Sequence, residues 1–227
     1  MMPARALVLF DIDGTLLRRA GPHHKDALVQ AVKQVTGHKV SFDGIATAGM
    51  LDRDLVRLLL HEAGAKLSDI KSWMPPIIAV AQDHYKSTCP QLHHCVCPGI
   101  RDLLETLHRS RIPMGLVTGN LAAIGWQKLE AAGLRSFFEF GAFAEMAHTR
   151  PALAGMAIRH ARRSGLAGKT TVFSLIGDHP NDVQAAKLNG IRSIAVATGL
   201  TASAEFAPWN PDILVPDARS LTLESFL

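Results

Sequence analysis

The chain has 227 residues, 48% of them hydrophobic and 19% charged, with a formal net charge of +4. That length and balance allow a full hydrophobic core with a smaller unit inserted into it, and exclude a disordered or fibrous chain. An apolar span of about 18 residues is absent, the short run at 6–10 meets Asp11 too early for a signal peptide, and Lys and Arg are scattered. The expectation is a cytoplasmic protein, with no membrane or nucleic acid among its partners and a mild attraction for small anions.

Ala6, Leu7, Val8, Leu9 and Phe10 form an apolar run that ends in Asp11-Ile-Asp13-Gly-Thr15-Leu-Leu17. Such a run reads as a central parallel strand arriving at its carboxyl end, where open α/β sheets put their ligands. Asp11 and Asp13 then stand at the mouth of a site. One carboxylate can act as a covalent nucleophile, and a second two residues on can exchange a proton with the substrate.

From about residue 18 to residue 90 the pattern turns helical. Ala27, Leu28, Ala31, Val32 and Val35 recur at helical spacing, as do Leu51, Leu55, Leu58 and Leu59. A third helix over 77–85 follows Pro75-Pro76, a pair that suits a helix start. Before the second of these helices, Gly49 to Asp54 reads as a solvated helix start with Asp52 as its cap. Cys89, Cys95 and Cys97 cluster with His93 and His94 but lack the Cys-x₂-Cys spacing of zinc sites, so this segment reads as a connector.

Beyond Pro98, helix and strand alternate. A helix through Ile100, Leu103, Leu104 and Leu107 leads to a strand over 112–117 that ends in Thr118-Gly-Asn120. A helix through Ile124 and Leu129 and a short strand near 138–143 follow. His148-Thr149-Arg150-Pro151 then opens a helix through Leu153, Met156, Ala157, His160 and Ala161. The strand 171–176 runs into Gly177-Asp178-His-Pro-Asn181-Asp182, and a helix through Val183 and Leu188, a strand over 193–197 and an edge strand over 212–215 complete the order. That order predicts an α/β fold: a Rossmann-like, doubly wound parallel sheet, with 1–17 and 91–227 as the core and 18–90 as an inserted α-helical cap.

Unit charges about 4 Å apart repel by roughly 4 kcal/mol at an effective dielectric of about 20, so Asp11, Asp13 and Asp178 gathered at one sheet edge require a counter-charge. All-oxygen ligands suit Mg²⁺ better than Zn²⁺.

The Asp-x-Asp-Gly-Thr-Leu string, Thr118-Gly-Asn120 and Gly177 to Asp182, in that order, resemble motifs I, II and IV of the haloacid dehalogenase superfamily. The helical insert resembles the cap of its phosphoglycolate phosphatase and β-phosphoglucomutase-like members, and Gly49 to Asp54 resembles the glycine-containing substrate loop of that cap, which implies Asp52 and Arg53 as substrate contacts, Arg53 toward a carboxylate or second phosphate of the substrate. Dehalogenases proper lack the second Asp, and phosphonate-cleaving relatives carry Ala there. The resemblance implies that Asp11 attacks phosphorus and becomes an aspartyl phosphate, while Asp13 protonates the leaving oxygen and later deprotonates water. It implies that the Thr118 hydroxyl and the amides of Gly119 and Asn120 hold phosphate oxygens at the start of the following helix. Mg²⁺ would be held by the Asp11 carboxylate, the Asp13 carbonyl and the Asp178 carboxylate, with Asp182 orienting metal-bound water or the neighbouring ligands. At motif III a Lys is expected, but Arg150 stands there, a planar fork in place of a compact ammonium, and no nearby Lys offers itself as a replacement. The implied activity is Mg²⁺-dependent hydrolysis of a small phosphate monoester. The alternatives are a phosphosugar mutase, a nucleotidase, or a non-catalytic phosphate-sensing protein. The partner is a small phosphorylated metabolite; monomer and homodimer stay open.

Overall fold

The computed structural model describes residues 4–227, so the first three residues of the expected core segment lie outside the described residues. Six strands, β1 (Ala4–Phe10), β2 (Met114–Val117), β3 (Phe140–Ala142), β4 (Ala167–Gly177), β5 (Arg192–Val196) and β6 (Ile213–Val215), form one sheet in the order β3-β2-β1-β4-β5-β6. Every neighbouring pair is parallel. β1 is central and its apolar run is wholly buried, because alternate side chains feed two different cores. Leu7 and Leu9 face one, Ala6, Val8 and Phe10 the other.

The chain leaves β1 toward β2 on one side and returns to β4 on the other, so the strand order reverses beside β1. A crevice opens beyond the strand ends at such a switch point. In sequence, α1 (His23–Thr36), α2 (Asp52–Glu62), α3 (Leu67–Thr88) and α4 (Ile100–Arg109) separate β1 from β2, and α5 (Ala122–Ala131), α6 (Arg150–Arg163) and α7 (Pro180–Leu188) connect β2 to β3, β3 to β4 and β4 to β5. The buried stripe of α1 and that of α3 join Leu7 and Leu9 in a single apolar cluster, so the insert packs on the core without a polar break.

The structure corrects one expectation in this region. Pro75 and Pro76 do not start a helix; they lie inside α3, which begins eight residues earlier at Leu67. An interior proline costs about 3 kcal/mol. The stripe of Ile70, Met74, Ile77 and Tyr85 that continues through both prolines is buried, and each such side chain contributes roughly 1.5–3 kcal/mol. Packing therefore outweighs the local preference. Among the described residues, no helix is long and apolar enough to cross a membrane.

Candidate active site

The loops beyond β1, β2 and β4 and the start of α6 surround a cavity of about 620 Å³. Core residues Asp11, Asp13, Asn120, Lys128, Arg150 and Asp178 line it, and His24, Asp52 and Tyr85 close it from the helical insert. Asp11 continues the β1–β4 ladder through its amide, which donates to the Ile176 carbonyl at 3.0 Å. Its carboxylate is thereby fixed at the end of the strand and buried.

Arg150 is the first residue of α6, whose start is set by Thr149 accepting from the Ala152 amide and by Pro151 in the first turn. Its Nη1 donates to Asp11 Oδ1 at 2.9 Å and to the Val117 carbonyl at 3.2 Å. Its Nε lies 3.2 Å from Asp182 Oδ1, an ion pair out of line for a hydrogen bond. Burial opposes the guanidinium charge, but Asp11 and Asp182 outweigh it, and the pKa is raised.

Asp11, Asp178 and Asp182 each offer a carboxylate oxygen within 4.8 Å of the others. Asp178 folds against Gly14 and Gly199, where a Cβ would overlap its carboxylate, and it accepts from the Thr15 hydroxyl at 3.3 Å. Gly14, at φ +87°, also makes the turn after the strand. Asp182 closes a capping box at the start of α7: its Oδ2 accepts from the His179 amide, which leaves Oδ1 buried without a hydrogen-bond partner. Burial, reinforced by Asp11, pushes Asp178 up to about 8. Burial also raises Asp182, to about 7, against the pull of Arg150.

Three buried carboxylates against one guanidinium leave the site short of positive charge, and Asp182 Oδ1 is buried with no hydrogen-bond partner. This donor set fits a hard divalent cation with oxygen ligands. The linkage has a definite sign. Two carboxyls with pKa values raised in the folded state bind protons that the unfolded chain releases. Stability of the metal-free protein therefore falls as pH rises from about 4 toward about 8. We expect calorimetry to show that fall, Mg²⁺ to reverse it, and Asp178→Asn both to flatten it and to remove most of the Mg²⁺ effect. A pH-independent midpoint in the metal-free protein would contradict this account.

A second cation, which the sequence reading missed, sits on α5. Lys128 is 1% exposed, and its ammonium lies 2.7 and 2.6 Å from the two oxygens of Asp13, 2.7 Å from Asn120 Oδ1 and 2.9 Å from His24 Nδ1. Burial alone would raise the Asp13 pKa, but Lys128 and then His24 overcome it and bring it down to about 2. Asp13 itself keeps 45% of its side chain open to the cavity. The signal for Lys128 was present: Asn120, Ile124 and Lys128 fall at i, i+4 and i+8, on the inward face of the helix.

Thr118, Gly119 and Asn120, the residues expected to hold phosphate, follow directly on β2. Gly119 and Asn120 line the cavity, but Thr118 is fully buried and its hydroxyl oxygen accepts from the Asn120 side chain at 2.8 Å. That side-chain amide also donates to Asp13 Oδ2 at 2.8 Å. Nor is the start of α5 free for an anion. Leu121 as N-cap has no side-chain oxygen to offer, and neighbours supply the acceptors: Asp52 takes the Leu121 amide at 2.8 Å, Glu145 the Ala122 amide at 2.9 Å and Gln82 the Ala123 amide at 2.8 Å. Asp52 is thus a buried brace between insert and core. Arg53 is not among the residues lining the cavity; its Nη1 reaches the Glu145 carbonyl at 3.4 Å.

This architecture defines a class: a Rossmann-like α/β core whose strand-end aspartates gather in a cavity closed by inserted helices. The description haloacid dehalogenase-like hydrolase matches residues 8–196, and the chain belongs to that family. It is 28% identical over 231 residues to a phosphoglycolate phosphatase of Vibrio parahaemolyticus, covering 96% of this chain and 94% of that protein. Its fold is similar to that of a predicted phosphoglycolate phosphatase from Haemophilus somnus (TM-score 0.68, 19% identity, 95% of this chain and 96% of the other). It is also similar to that of a β-phosphoglucomutase from Clostridium difficile (TM-score 0.65, 18% identity, 99% and 95%).

Proposed function

We propose that the chain is a Mg²⁺-dependent phosphatase acting on small phosphate monoesters through an aspartyl phosphate on Asp11, with residues 18–90 as its cap. The observation that carries this reading is the buried Asp11 carboxylate, held on one oxygen by Arg150 and grouped with Asp178 and Asp182. Mg²⁺, bound by Asp11, the Asp13 carbonyl and Asp178, with Asp182 beside them, would offset the substrate's negative charge.

Asp11 forms a bond to phosphorus as the ester bond breaks; Asp13, which faces the cavity and is kept ionised by Lys128, takes the proton carried by the phosphate monoester monoanion and passes it to the departing oxygen. Water then attacks the phosphorus of the aspartyl phosphate. Asp13 takes the proton from that water, and phosphate leaves with Asp11 restored. Arg150 holds the nucleophile's orientation and screens it from the incoming phosphoryl oxygens. Gly119 and Asn120 bound the same space and supply main-chain groups to the phosphate. Asp52 and Arg53 act through the cap's seating rather than on substrate, since both are engaged by the core.

Full-length similarity to a phosphoglycolate phosphatase supports hydrolysis over phosphoryl return to a second hydroxyl. A panel of phosphometabolites, phosphoglycolate and hexose phosphates among them, tests the reading. Phosphate release that needs Mg²⁺ and stops on chelation is expected. Interconversion of hexose phosphates without phosphate release would make the protein a mutase, and silence across the panel would make it a binding protein.

A further inference from the structure

The cavity has two unlike sides. Beside Asp13 the polar side chains are spent on one another. The Lys128 ammonium serves Asp13, Asn120 Oδ1 and His24 Nδ1. The Asn120 amide donates to Asp13 and to the Thr118 hydroxyl, and His24 Nε2 donates to Asp52 Oδ2 at 2.8 Å. A sugar hydroxyl or a glycolate carboxylate arriving here would look for donors whose protons are already committed, and burying such a group without a partner is unfavourable. Tyr85, whose ring centroid lies 5.9 Å from that of His24, adds an aromatic surface on this side. The other side is an apolar lip. Leu200, in the loop after β5, borders the cavity and is 89% exposed, the highest value for a large hydrophobic side chain among the described residues. Met50 borders the same cavity and is half-buried. Both are held in place by the glycine before them: Gly199 packs on the Asp178 carboxylate, and Gly49 on the ring of His179, the next residue.

We infer that the substrates are phosphate monoesters of apolar alcohols, aliphatic chains of several carbons or arylalkyl groups, seated between Tyr85 and the lip of Met50 and Leu200, in preference to phosphoglycolate or sugar phosphates. This names the substrate class of the phosphatase site proposed above and rests on that reading. A lone exposed Leu is ordinary on a protein surface. Leu200 instead borders a cavity of about 620 Å³, room for a leaving group much larger than glycolate. Water lying against Met50 and Leu200 is released when an alkyl or aryl group takes its place, and that release rewards apolar area without asking for a hydrogen bond. Arg19 and Lys25 also stand on the rim, but both are exposed. Screened by water and salt, their charges attract the phosphate from a distance and add little to selection of the rest of the ester.

Linear alkyl phosphates from ethyl to hexyl release alcohols of nearly equal acidity, so along the series the bond-breaking step stays constant and only apolar contact changes. Full burial of one methylene is worth up to about 4-fold in transition-state binding. In the presence of Mg²⁺ we expect kcat/KM to rise by about 2- to 4-fold per methylene. Hexyl and benzyl phosphate should exceed phosphoglycolate and glucose 6-phosphate by about 10-fold or more, because the latter bring polar groups to a side without free donors. Leu200→Asn should cut the ratio of hexyl to ethyl phosphate by about 5-fold, and Met50→Gln should cut it in the same direction. Leu200 is exposed, so its replacement leaves the fold intact. A flat or falling series, or a preference for phosphoglycolate or glucose 6-phosphate, would overturn the inference while leaving the phosphatase reading standing. So would a rising series kept in full by both variants, since the chain would then lie elsewhere. A wild-type protein that releases phosphate from none of these esters would remove the phosphatase reading itself.

Discussion

Asp11→Asn should abolish phosphate release, by on the order of 10⁴-fold or more, while raising the thermal midpoint of the metal-free protein at pH 8. The loss follows from chemistry: an amide oxygen neither forms a stable bond to phosphorus nor carries the charge that would draw a cation. The gain follows from electrostatics. After burial, Asp11 is the strongest influence that pushes Asp178 upward, so neutralising it relieves a repulsion that the folded protein bears and the unfolded chain does not. Arg150 keeps Asp182 and the Val117 carbonyl as partners, so the substitution does not strand the guanidinium. Phosphate release and calorimetry on the same preparation check both halves. Residual turnover of a few per cent would place the nucleophile elsewhere, and a lower midpoint would show that the Asp11–Arg150 contact outweighs the carboxylate repulsion.

How much of this was legible in the chain depends on how local each signal is. Strand β1 and its acids could be read because a continuous apolar run and an Asp-x-Asp-Gly turn are adjacent in sequence. The same holds for β4 and Asp178, and for Thr149-Arg150-Pro151, where a cap, a cation and a proline at the first turn specify a helix start. The interior prolines of α3 were misread because proline punctuation is a local rule, and here a long-range apolar stripe overrides it.

The features of the site that sequence reasoning missed are those in which distant segments satisfy one another. Lys128 lies on an otherwise ordinary helix, and only the fold shows that its inward face looks onto Asp13. The start of α5 read as a free anion-binding helix end, since nothing near it in sequence announces that Asp52, Glu145 and Gln82 occupy its amides. Asp52 read as a substrate contact or a cap of its own helix. It caps a different helix, 69 residues away. Unsatisfied donors are recognisable locally; the acceptors that answer them are not.

Arg150→Ala should eliminate turnover and lower stability together, whereas Arg150→Lys should retain part of both. The guanidinium is buried, with a 5% exposed side chain, and stands between two carboxylates, the proposed nucleophile Asp11 and Asp182, which braces α7. Removing it leaves Asp11 and Asp182 facing each other without a counter-charge, and loss of one partner from a buried pair costs about 3–5 kcal/mol. A lysine in its place brings the charge back at a single point. It can reach Asp11 or Asp182 but not hold the two as a planar fork does, and it cannot keep the Val117 carbonyl in the same geometry. The lysine variant should therefore fold, bind Mg²⁺, and turn over phosphate monoesters at a rate reduced by roughly 10- to 100-fold, with the fall in kcat rather than in KM, because what is lost is orientation of the nucleophile. Mg²⁺ should raise the midpoint of the alanine variant more than that of the wild type, since it supplies charge where the guanidinium no longer does. Unchanged kinetics in Arg150→Ala would show that the nucleophile needs no cation from α6. The charge balance of the site would then have to rest on Lys128, which the structure commits to Asp13.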